Sequence, residues 1–228
     1  MKILKNRTTI SKYHKMLNIK TFTVNPLQEN CYILSDETKE CVIIDCGAFT
    51  ENECKEIIDY IHSEQLKPVH LIATHGHFDH NLGIGAMQQA FGIKLKIHRA
   101  DEHHIRNISQ QAQDFMGMVV NFAPQIDTFL NGGDTINFGT HHLQCIAAPG
   151  HSMGGLLFYC EEEKVLFSGD TLFRCSIGRT DLPGGSMFMI INSLRQLCQL
   201  PDSVTVYPGH GPLTTISYEL AHNPYLDR

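Results

Sequence analysis

The segment that most constrains the fold of this chain is ATHGHFDHNLG, at residues 73–83, which continues directly from an apolar run. Six consecutive positions within it contain four residues of metal-ligand type: His75, His77, Asp79 and His80. In an extended chain the first three share one face and His80 points away, because successive side chains alternate. We expect Gly76 and a change from strand to helix near residue 80 to supply the bend that gathers all four. Clustered imidazoles at a strand end lose hydration, so the segment predicts a cation site rather than a solvated polar loop.

The same pattern, an apolar strand that ends in a ligand-type residue within a glycine turn, recurs three more times. IAAPGHSMGG supplies His151, KVLFSGDT supplies Asp170, and VTVYPGHGPLTT supplies His210. Taken alone, a His or Asp in such a turn is more often a turn or cap residue. Together with the first cluster they make seven nitrogen and oxygen ligands without a cysteine. This set fits two borderline cations about 3.5–4 Å apart better than one structural zinc.

Predicted strands and helices alternate along the chain, which is typical of one mixed α/β domain. With 228 residues, 42% of them apolar, the chain is long enough to bury a large core. Strands are predicted in IKTFTV, NCYIL, CVIIDCG, PVHLIAT, KLKIH, DTINFG, HLQCIAAPG, LLFYCEE, KVLFSGD and SVTVYPGHG. Helices are predicted in ENECKEIIDYIHSEQ, NLGIGAMQQAF, DEHHIRNISQQAQDF, MFMIINSLRQLCQL and TISYELAHNPYL. We interpret residues 1–17 as a basic leader and residues 18–228 as a single domain.

Charge and composition exclude several classes of protein. The net charge of −6, with acids and bases mixed along the chain, gives no basic stripe, so nucleic acid is not an expected partner. No run approaches the ~18 apolar residues of a membrane span, and the N-terminus lacks the apolar centre of a signal peptide. The eight cysteines form no C-x-x-C pair and several lie in apolar runs, which is typical of reduced core residues. We expect a cytoplasmic protein without a membrane partner; the sequence indicates no oligomeric state.

Several motifs resemble those of a known family. The H-x-H-x-D-H cluster, followed by isolated His, Asp and His at these distances, resembles the metallo-β-lactamase-fold hydrolases. APGHSMGG, FSGDTLF, SIGRTDLPGG and YPGHG with NPYL resemble its glyoxalase II-type branch, the hydroxyacylglutathione hydrolase-like enzymes. The resemblance covers roughly residues 18 to 226. It implies a four-layer αββα sandwich, with two mixed sheets flanked by helices and the metals at one edge.

The resemblance also implies a role for each matching position. The first metal would be held by His75, His77 and His151, and the second by Asp79, His80 and His210, with Asp170 as the bridge. Two divalent ions are expected, zinc first, with iron or manganese as alternatives. Asp45 matches a position that supports the metal loop from outside, although a strand-end turn residue explains it equally. Arg179 would either bind a substrate carboxylate or brace its own loop.

The metal chemistry implied by the resemblance favours a small-molecule thioester as substrate. A metal-bound water ionises near pH ~7 and can attack a carbonyl, with Asp79 orienting that water or accepting its proton. A thiolate, whose pKa is near ~8.5, leaves without a general acid, whereas an amide nitrogen needs one. Asp170 counts against antibiotic hydrolysis, because true β-lactamases of this fold usually have Cys or Ser there.

Three other functions remain open at this stage. Lactonases share the ligand set. A persulfide dioxygenase-like enzyme would hold a single iron through His75, His151 and Asp170. A non-enzymatic metal-binding module is the third.

Glutathione recognition is where this chain departs from the family pattern. Full-length glyoxalase II enzymes add a C-terminal helical segment whose basic residues help to hold glutathione. Here about eighteen residues follow His210, which gives room for one helix. We therefore expect weak hydrolysis of S-lactoylglutathione and little preference for the glutathione carrier.

Overall fold

The structure is a computed structural model that describes residues 16–120, 122 and 124–226. The basic leader predicted at residues 1–17 lies, apart from residues 16 and 17, outside the described residues. None of the helices in these ranges combines the length and the apolar character that a membrane crossing needs.

The first sheet contains six strands that lie side by side in the order of the chain. They are β1 (Asn18–Val24), β2 (Glu29–Ser35), β3 (Glu40–Ile44), β4 (Lys67–Ile72), β5 (Leu95–His98) and β6 (Ile126–Leu130). β1, β2 and β3 pair antiparallel, whereas β3 to β6 pair in parallel. The residues that follow β3, β4 and β5 therefore leave the sheet at the same edge.

The second sheet is also mixed. In chain order the remaining strands are β7 (Thr135–Phe138), β8 (His141–Ala147), β9 (Leu156–Cys160), β10 (Val165–Gly169), β11 (Leu172–Phe173), β12 (Ser176–Ile177), β13 (Thr205–Pro208) and β14 (Thr214–Thr215). β11 and β12 form a small ribbon, and the other six form a sheet in the order β14-β13-β10-β9-β8-β7. Neighbours in this sheet pair antiparallel except β10 and β13, which are parallel.

Helices cover the outer faces of both sheets. The α-helices of the described residues are α1 (Glu51–Ser63), α2 (Ile84–Phe91), α3 (Glu102–Arg106), α4 (Ile108–Met116), α5 (Met187–Leu197) and α6 (Ile216–His222). Two short 3-10 turns, Phe78–His80 and Arg99–Asp101, precede α2 and α3.

Alternation of side chains along the strands builds the layers. In β2, Tyr32 and Leu34 pack between the two sheets against residues such as Phe158 and Phe167. Cys31 and Ile33 of the same strand point outward and pack with residues of α1 and α2, because successive side chains emerge on opposite faces. In the second sheet the outward-facing residues of β9 and β10 pack with α5 and α6. The predicted four-layer αββα sandwich is therefore confirmed.

The local predictions differ from the structure in two respects. Every predicted strand is present, but β6, β14 and the β11–β12 ribbon were not predicted. The single helix predicted over residues 101–115 is wrong, because the structure has α3 and α4 separated at Asn107. Asn107 has φ −106 and ψ 20, outside helical geometry, and asparagine is a poor helix former because its side chain competes for backbone bonds.

Candidate metal centre

Four strand ends bring the predicted site residues to one edge of the sandwich. Residues 75–80 follow β4, His151 follows β8, Asp170 follows β10, and His210 follows β13. His210 Nε2 lies 3.3 Å from Asp79 Oδ2 and 3.8 Å from Asp170 Oδ2. Residues that are far apart in the sequence therefore meet because their strands end at the same place.

The bend after β4 has a different origin from the one expected at Gly76. The 3-10 turn Phe78–His80 supplies the predicted change from strand to helix. Gly76 is instead required by a close approach, because a Cβ there would lie 2.7 Å from His104 Cβ and 2.8 Å from the Asp101 carbonyl oxygen. The glycine lets the histidine segment pack tightly against the start of α3.

The first group consists of His75, His77 and His151, whose ligand atoms all lie within 4.8 Å of one another. His77 Nδ1 is 2.9 Å from His151 Nε2. On their outer sides, His75 Nδ1 lies 3.1 Å from Thr74 Oγ1, and His151 Nδ1 donates to the Arg179 carbonyl oxygen at 2.8 Å. Such outer partners fix the orientation of an imidazole and leave its other nitrogen available as a ligand.

The second group consists of Asp79, His80 and His210, which meet the same 4.8 Å criterion. His80 Nδ1 is 3.1 Å from Asp45 Oδ2, and His210 Nδ1 donates to the Leu27 carbonyl oxygen at 3.0 Å. These outer contacts leave the Nε2 atom of His80 facing Asp170 and the Nε2 atom of His210 facing Asp79. The group therefore offers two nitrogens and a carboxylate to one point.

Asp170 lies between the two groups. Its Oδ1 is 3.3 Å from His80 Nε2, and its Oδ2 is 3.5 Å from His151 Nε2. The glycine of the PGH turn is needed here, since a Cβ on Gly209 would lie 2.4 Å from Asp170 Oδ1. The carboxylate thus faces one histidine of each group, which is the position that a bridging ligand requires.

The electrostatics of the cluster favour positive charge beside Asp170. Burial and the neighbouring imidazoles lower the pKa of His75 well below its usual value, and burial and His151 lower the pKa of His77 to about 3. Burial alone would lower the pKa of His80 and raise that of Asp170. Their mutual attraction outweighs burial, so the pKa of His80 is raised and that of Asp170 is lowered. A proton or a metal cation satisfies this preference.

The residues present fit divalent cations. His75 Nε2, His80 Nε2 and Asp170 Oδ1 are buried and have no hydrogen-bond partner in the described protein. His80 Nε2 and Asp170 Oδ1 attract each other at 3.3 Å without making a hydrogen bond, and His75 Nε2 lies in the same group of ligand atoms. Buried polar atoms without hydrogen bonds are costly, and a cation between these three would satisfy them. Nitrogen and carboxylate donors without thiolate suit zinc, iron and manganese.

Asp45 and Arg179 were predicted with two alternatives each. Asp45, directly after β3, accepts hydrogen bonds from Thr74 N at 2.7 Å and Thr74 Oγ1 at 2.7 Å, in addition to its contact with His80. The guanidinium of Arg179 bonds to the Asp181 carboxylate, at 2.8 Å and 2.7 Å. Asp45 thus touches the metal loop, while the side chain of Arg179 braces its own loop.

Asp101 is a residue that the sequence reasoning missed. Its buried carboxylate accepts hydrogen bonds from Gly76 N at 2.9 Å, Ser152 Oγ at 2.7 Å and Gly154 N at 2.7 Å. It therefore ties the loop after β4 to the loop after β8, both of which carry site histidines. The available signal was its place shortly after the end of β5, where a polar residue follows an apolar strand as in the other four cases.

Glu29 was also missed. This glutamate begins β2, every residue of which is buried, and its Oε2 accepts a hydrogen bond from Gly47 N at 3.1 Å. Its Oε1 lies 3.9 Å from His80 Nδ1, beneath the second group. Burial raises the pKa of Glu29 well above its usual value. The signal was an acidic residue immediately before the predicted strand NCYIL, whose centre is apolar.

An open cleft of about 340 Å³ adjoins the cluster. Five residues of the cluster form its base, namely His77, Asp79, His151, Asp170 and His210. Its walls are formed by Leu27, Phe78, Gln111, Phe115, Met116, Arg179 and Leu182. A small molecule in this cleft would therefore contact the cluster directly.

Comparisons with known proteins place this geometry in context. Residues 24–210 match the family profile described as the metallo-beta-lactamase superfamily. The Haemophilus influenzae protein named hydroxyacylglutathione hydrolase GloC is 34% identical over 219 residues, which cover 92% of this chain and 99% of that protein.

Two solved structures are similar over almost their whole length. BLEG-1, described as a B3 metallo-beta-lactamase, is 35% identical with a TM-score of 0.84, covering 92% of this chain and 99% of that one. TTHA1623, solved in a di-iron-bound form, is 34% identical with a TM-score of 0.81, covering 91% and 100%. The likeness therefore extends across both sheets.

Proposed function

Because the chain belongs to the metallo-β-lactamase superfamily, whose members bind divalent metals, we propose that it is a binuclear metal-dependent thioesterase acting on S-acylglutathione-type esters. The observation that carries this proposal is the cluster of seven nitrogen and oxygen ligands, with its unpartnered atoms, at the base of an open cleft. We further propose the cytoplasm as its compartment, where thiols stay reduced.

The proposed ligands fall into two sets that share Asp170. His75, His77 and His151 would hold one ion, and Asp79, His80 and His210 the other. Zinc is the proposed metal, with iron as the first alternative because TTHA1623 binds two irons. Bound divalent cations supply a water that ionises near pH ~7 and polarise the carbonyl oxygen of a substrate.

The protein's own residues support attack on an ester with a good leaving group. Asp79 lines the cleft, and His210 holds its Oδ2 at 3.3 Å, so its carboxylate can orient a water or accept its proton. In the described lining outside the proposed ligands, Gln111 and Arg179 are the polar side chains, and neither releases a proton near pH ~7. A thiolate needs no such acid, whereas an amide nitrogen does.

A second candidate function is β-lactam hydrolysis. The similarity to BLEG-1 favours it, because BLEG-1 is 35% identical to this chain and GloC is 34% identical. A β-lactam releases an amine nitrogen that needs a proton, and outside the proposed ligands the described lining has no general acid. That proton would have to come from Asp79 after it has taken one from the water, whereas a thiolate leaves without one. The name of GloC, in contrast, agrees with the thioester proposal.

A substrate panel on the zinc-loaded protein tests the proposal. Thiol release from S-lactoylglutathione and from an S-acyl-N-acetylcysteamine would be compared with opening of a chromogenic cephalosporin and of a γ-lactone. Oxygen uptake on glutathione persulfide would be measured in parallel on the iron-loaded protein, because zinc has no redox chemistry. We expect kcat/KM for one of the thioesters to exceed the other values by about tenfold or more. A higher value for the cephalosporin, the lactone or the persulfide would overturn the proposal.

A further inference from the structure

The walls of the cleft are largely apolar. Leu27, Phe78, Phe115, Met116 and Leu182 face it. Leu27 and Phe115 are 46% and 56% exposed, so both still have apolar surface that a ligand in the cleft could cover. The rings of Phe78 and Phe115 stack, with centroids 5.8 Å apart and planes at 16°. These side chains would lose contact with water when a hydrocarbon group entered.

The polar side chains of the walls are already engaged. Both nitrogens of Arg179 that face Asp181 bond to its carboxylate, so the pair carries no net charge. The amide nitrogen of Gln111 donates to the His104 carbonyl oxygen at 2.6 Å. Among the described lining residues outside the cluster, Arg179 is the one cation, and it is already paired with Asp181, so no unpaired cation faces the cleft to bind the carboxylates of glutathione.

From this lining we infer that the cleft selects thioesters with an uncharged hydrocarbon acyl group, and that Leu27 and Phe115 determine this specificity. The inference rests on the proposed thioesterase function. In this arrangement the acyl carbon lies against the cluster at the base, and the next carbons of the acyl chain lie between the apolar wall residues. The thiol part leaves, and the walls offer its charged groups no partner.

An acyl series on one uncharged carrier tests the inference. The substrates would be S-acetyl-, S-butyryl- and S-hexanoyl-N-acetylcysteamine, hydrolysed by the zinc-loaded protein and compared with S-lactoylglutathione. Burial of each added methylene predicts a rise in kcat/KM of about two- to fourfold. A flat or falling series, or a preference of about a hundredfold for the glutathione ester, would overturn the inference.

Two matched variants locate the effect. Phe115→Ser shortens an exposed wall residue, so the fold is retained, and kcat/KM for the hexanoyl ester should fall by about tenfold more than kcat/KM for the acetyl ester. Phe188→Ser is the control, because Phe188 is 77% exposed on α5 and is not among the lining residues. Equal effects of the two variants on the acyl series would contradict the assignment of Phe115.

A binding measurement separates this inference from the proposed function. Calorimetry would compare S-methyl-, S-butyl- and S-hexyl-N-acetylcysteamine, thioethers that cannot be hydrolysed, on the zinc-loaded protein. Affinity that rises with chain length, and is weakened by Phe115→Ser, supports an apolar subsite even if no thioester in the panel is cleaved. Affinity independent of chain length would overturn the subsite even if thioesters are good substrates.

Discussion

Among single residues, Asp170 is the one on which the proposed centre depends most. It is the carboxylate that faces a histidine of each group, with Oδ1 towards His80 and Oδ2 towards His151. Without Asp170, the two proposed ions would have no shared ligand to fix the distance between them. Its loss would also remove the negative charge that offsets the two cations.

We predict that Asp170→Ala lowers thioester hydrolysis by about a hundredfold or more and lowers the metal content of the purified protein. Circular dichroism should show an unchanged fold, because the residue lies at the edge of the sandwich. Asp127→Ala, at an exposed position of β6, is the control and should keep both activity and metal. Full thioesterase activity of Asp170→Ala, with two metals bound, would contradict the assignment of Asp170 as the shared ligand.

The seven proposed ligands could be predicted from the sequence because each lies in a short local pattern, an apolar strand followed by a glycine turn. Asp101 could not be predicted in the same way. Its partners Gly76 and Ser152 lie 25 and 51 positions away, and only the folded chain brings them together. The engagement of Arg179 with Asp181 likewise needed the structure, since the sequence left two roles open.

Between elements, Asp101 acts as a positioning residue for the two histidine loops. It joins the loop after β4 to the loop after β8 through three hydrogen bonds. Asparagine at this position would place an N–H₂ group against a backbone N–H. The loops would then lose a shared anchor while the strands themselves stay paired.

We therefore predict that Asp101→Asn weakens zinc affinity by about 10- to 100-fold, measured by competition with a chromophoric chelator. It should also lower the free energy of unfolding by about 1–3 kcal/mol, because a buried donor loses its acceptor. Asp36→Asn is the matched control, since Asp36 is a buried, multiply hydrogen-bonded aspartate at the far edge. A loss of stability with unchanged zinc affinity would reduce Asp101 to a structural role.

Whole elements were predicted well where the hydrophobic period was regular and poorly where it was not. α1 was predicted from the helical spacing of its apolar residues, and in the structure a capping box formed by Thr50 and Glu53 begins it. β6 was missed because its alternation is short and only Leu130 is buried. Its place comes from parallel pairing with β5, a contact that leaves no local signal.

In the whole molecule, Asp36 joins the two sheets at the edge opposite the cluster. It follows β2 in the first sheet and accepts hydrogen bonds from Thr140 N at 2.6 Å and Thr140 Oγ1 at 2.8 Å, beside β8 of the second sheet. His141 Nδ1 lies 3.1 Å from the same carboxylate, and Glu163 lies 3.3 Å from His141 Nε2. Burial would raise the pKa of Asp36, but the bonds from Thr38 and Thr140 outweigh it and hold that pKa below its usual value.

Asp36→Asn should lower the free energy of unfolding by about 2–3 kcal/mol near neutral pH without changing zinc affinity. A carboxyl whose folded pKa is depressed stabilises above its unfolded pKa of ~3.9 and loses that contribution as pH falls through the folded value. Urea unfolding should therefore show a constant difference between wild type and variant from pH 5 to 8 and a shrinking one below about pH 4. A difference that grows on acidification would contradict this role.

A zinc titration of the metal-free protein, with bound ions and thiol released from a simple thioester followed together, tests the central claim most directly. The claim is that one cluster of seven residues binds two cations, and that the protein uses them to hydrolyse thioesters. It predicts about two ions bound per chain at saturation, with hydrolysis that appears as the cluster fills. Binding of a single zinc ion at saturation, or of two zinc ions with the thioester left intact, would contradict it.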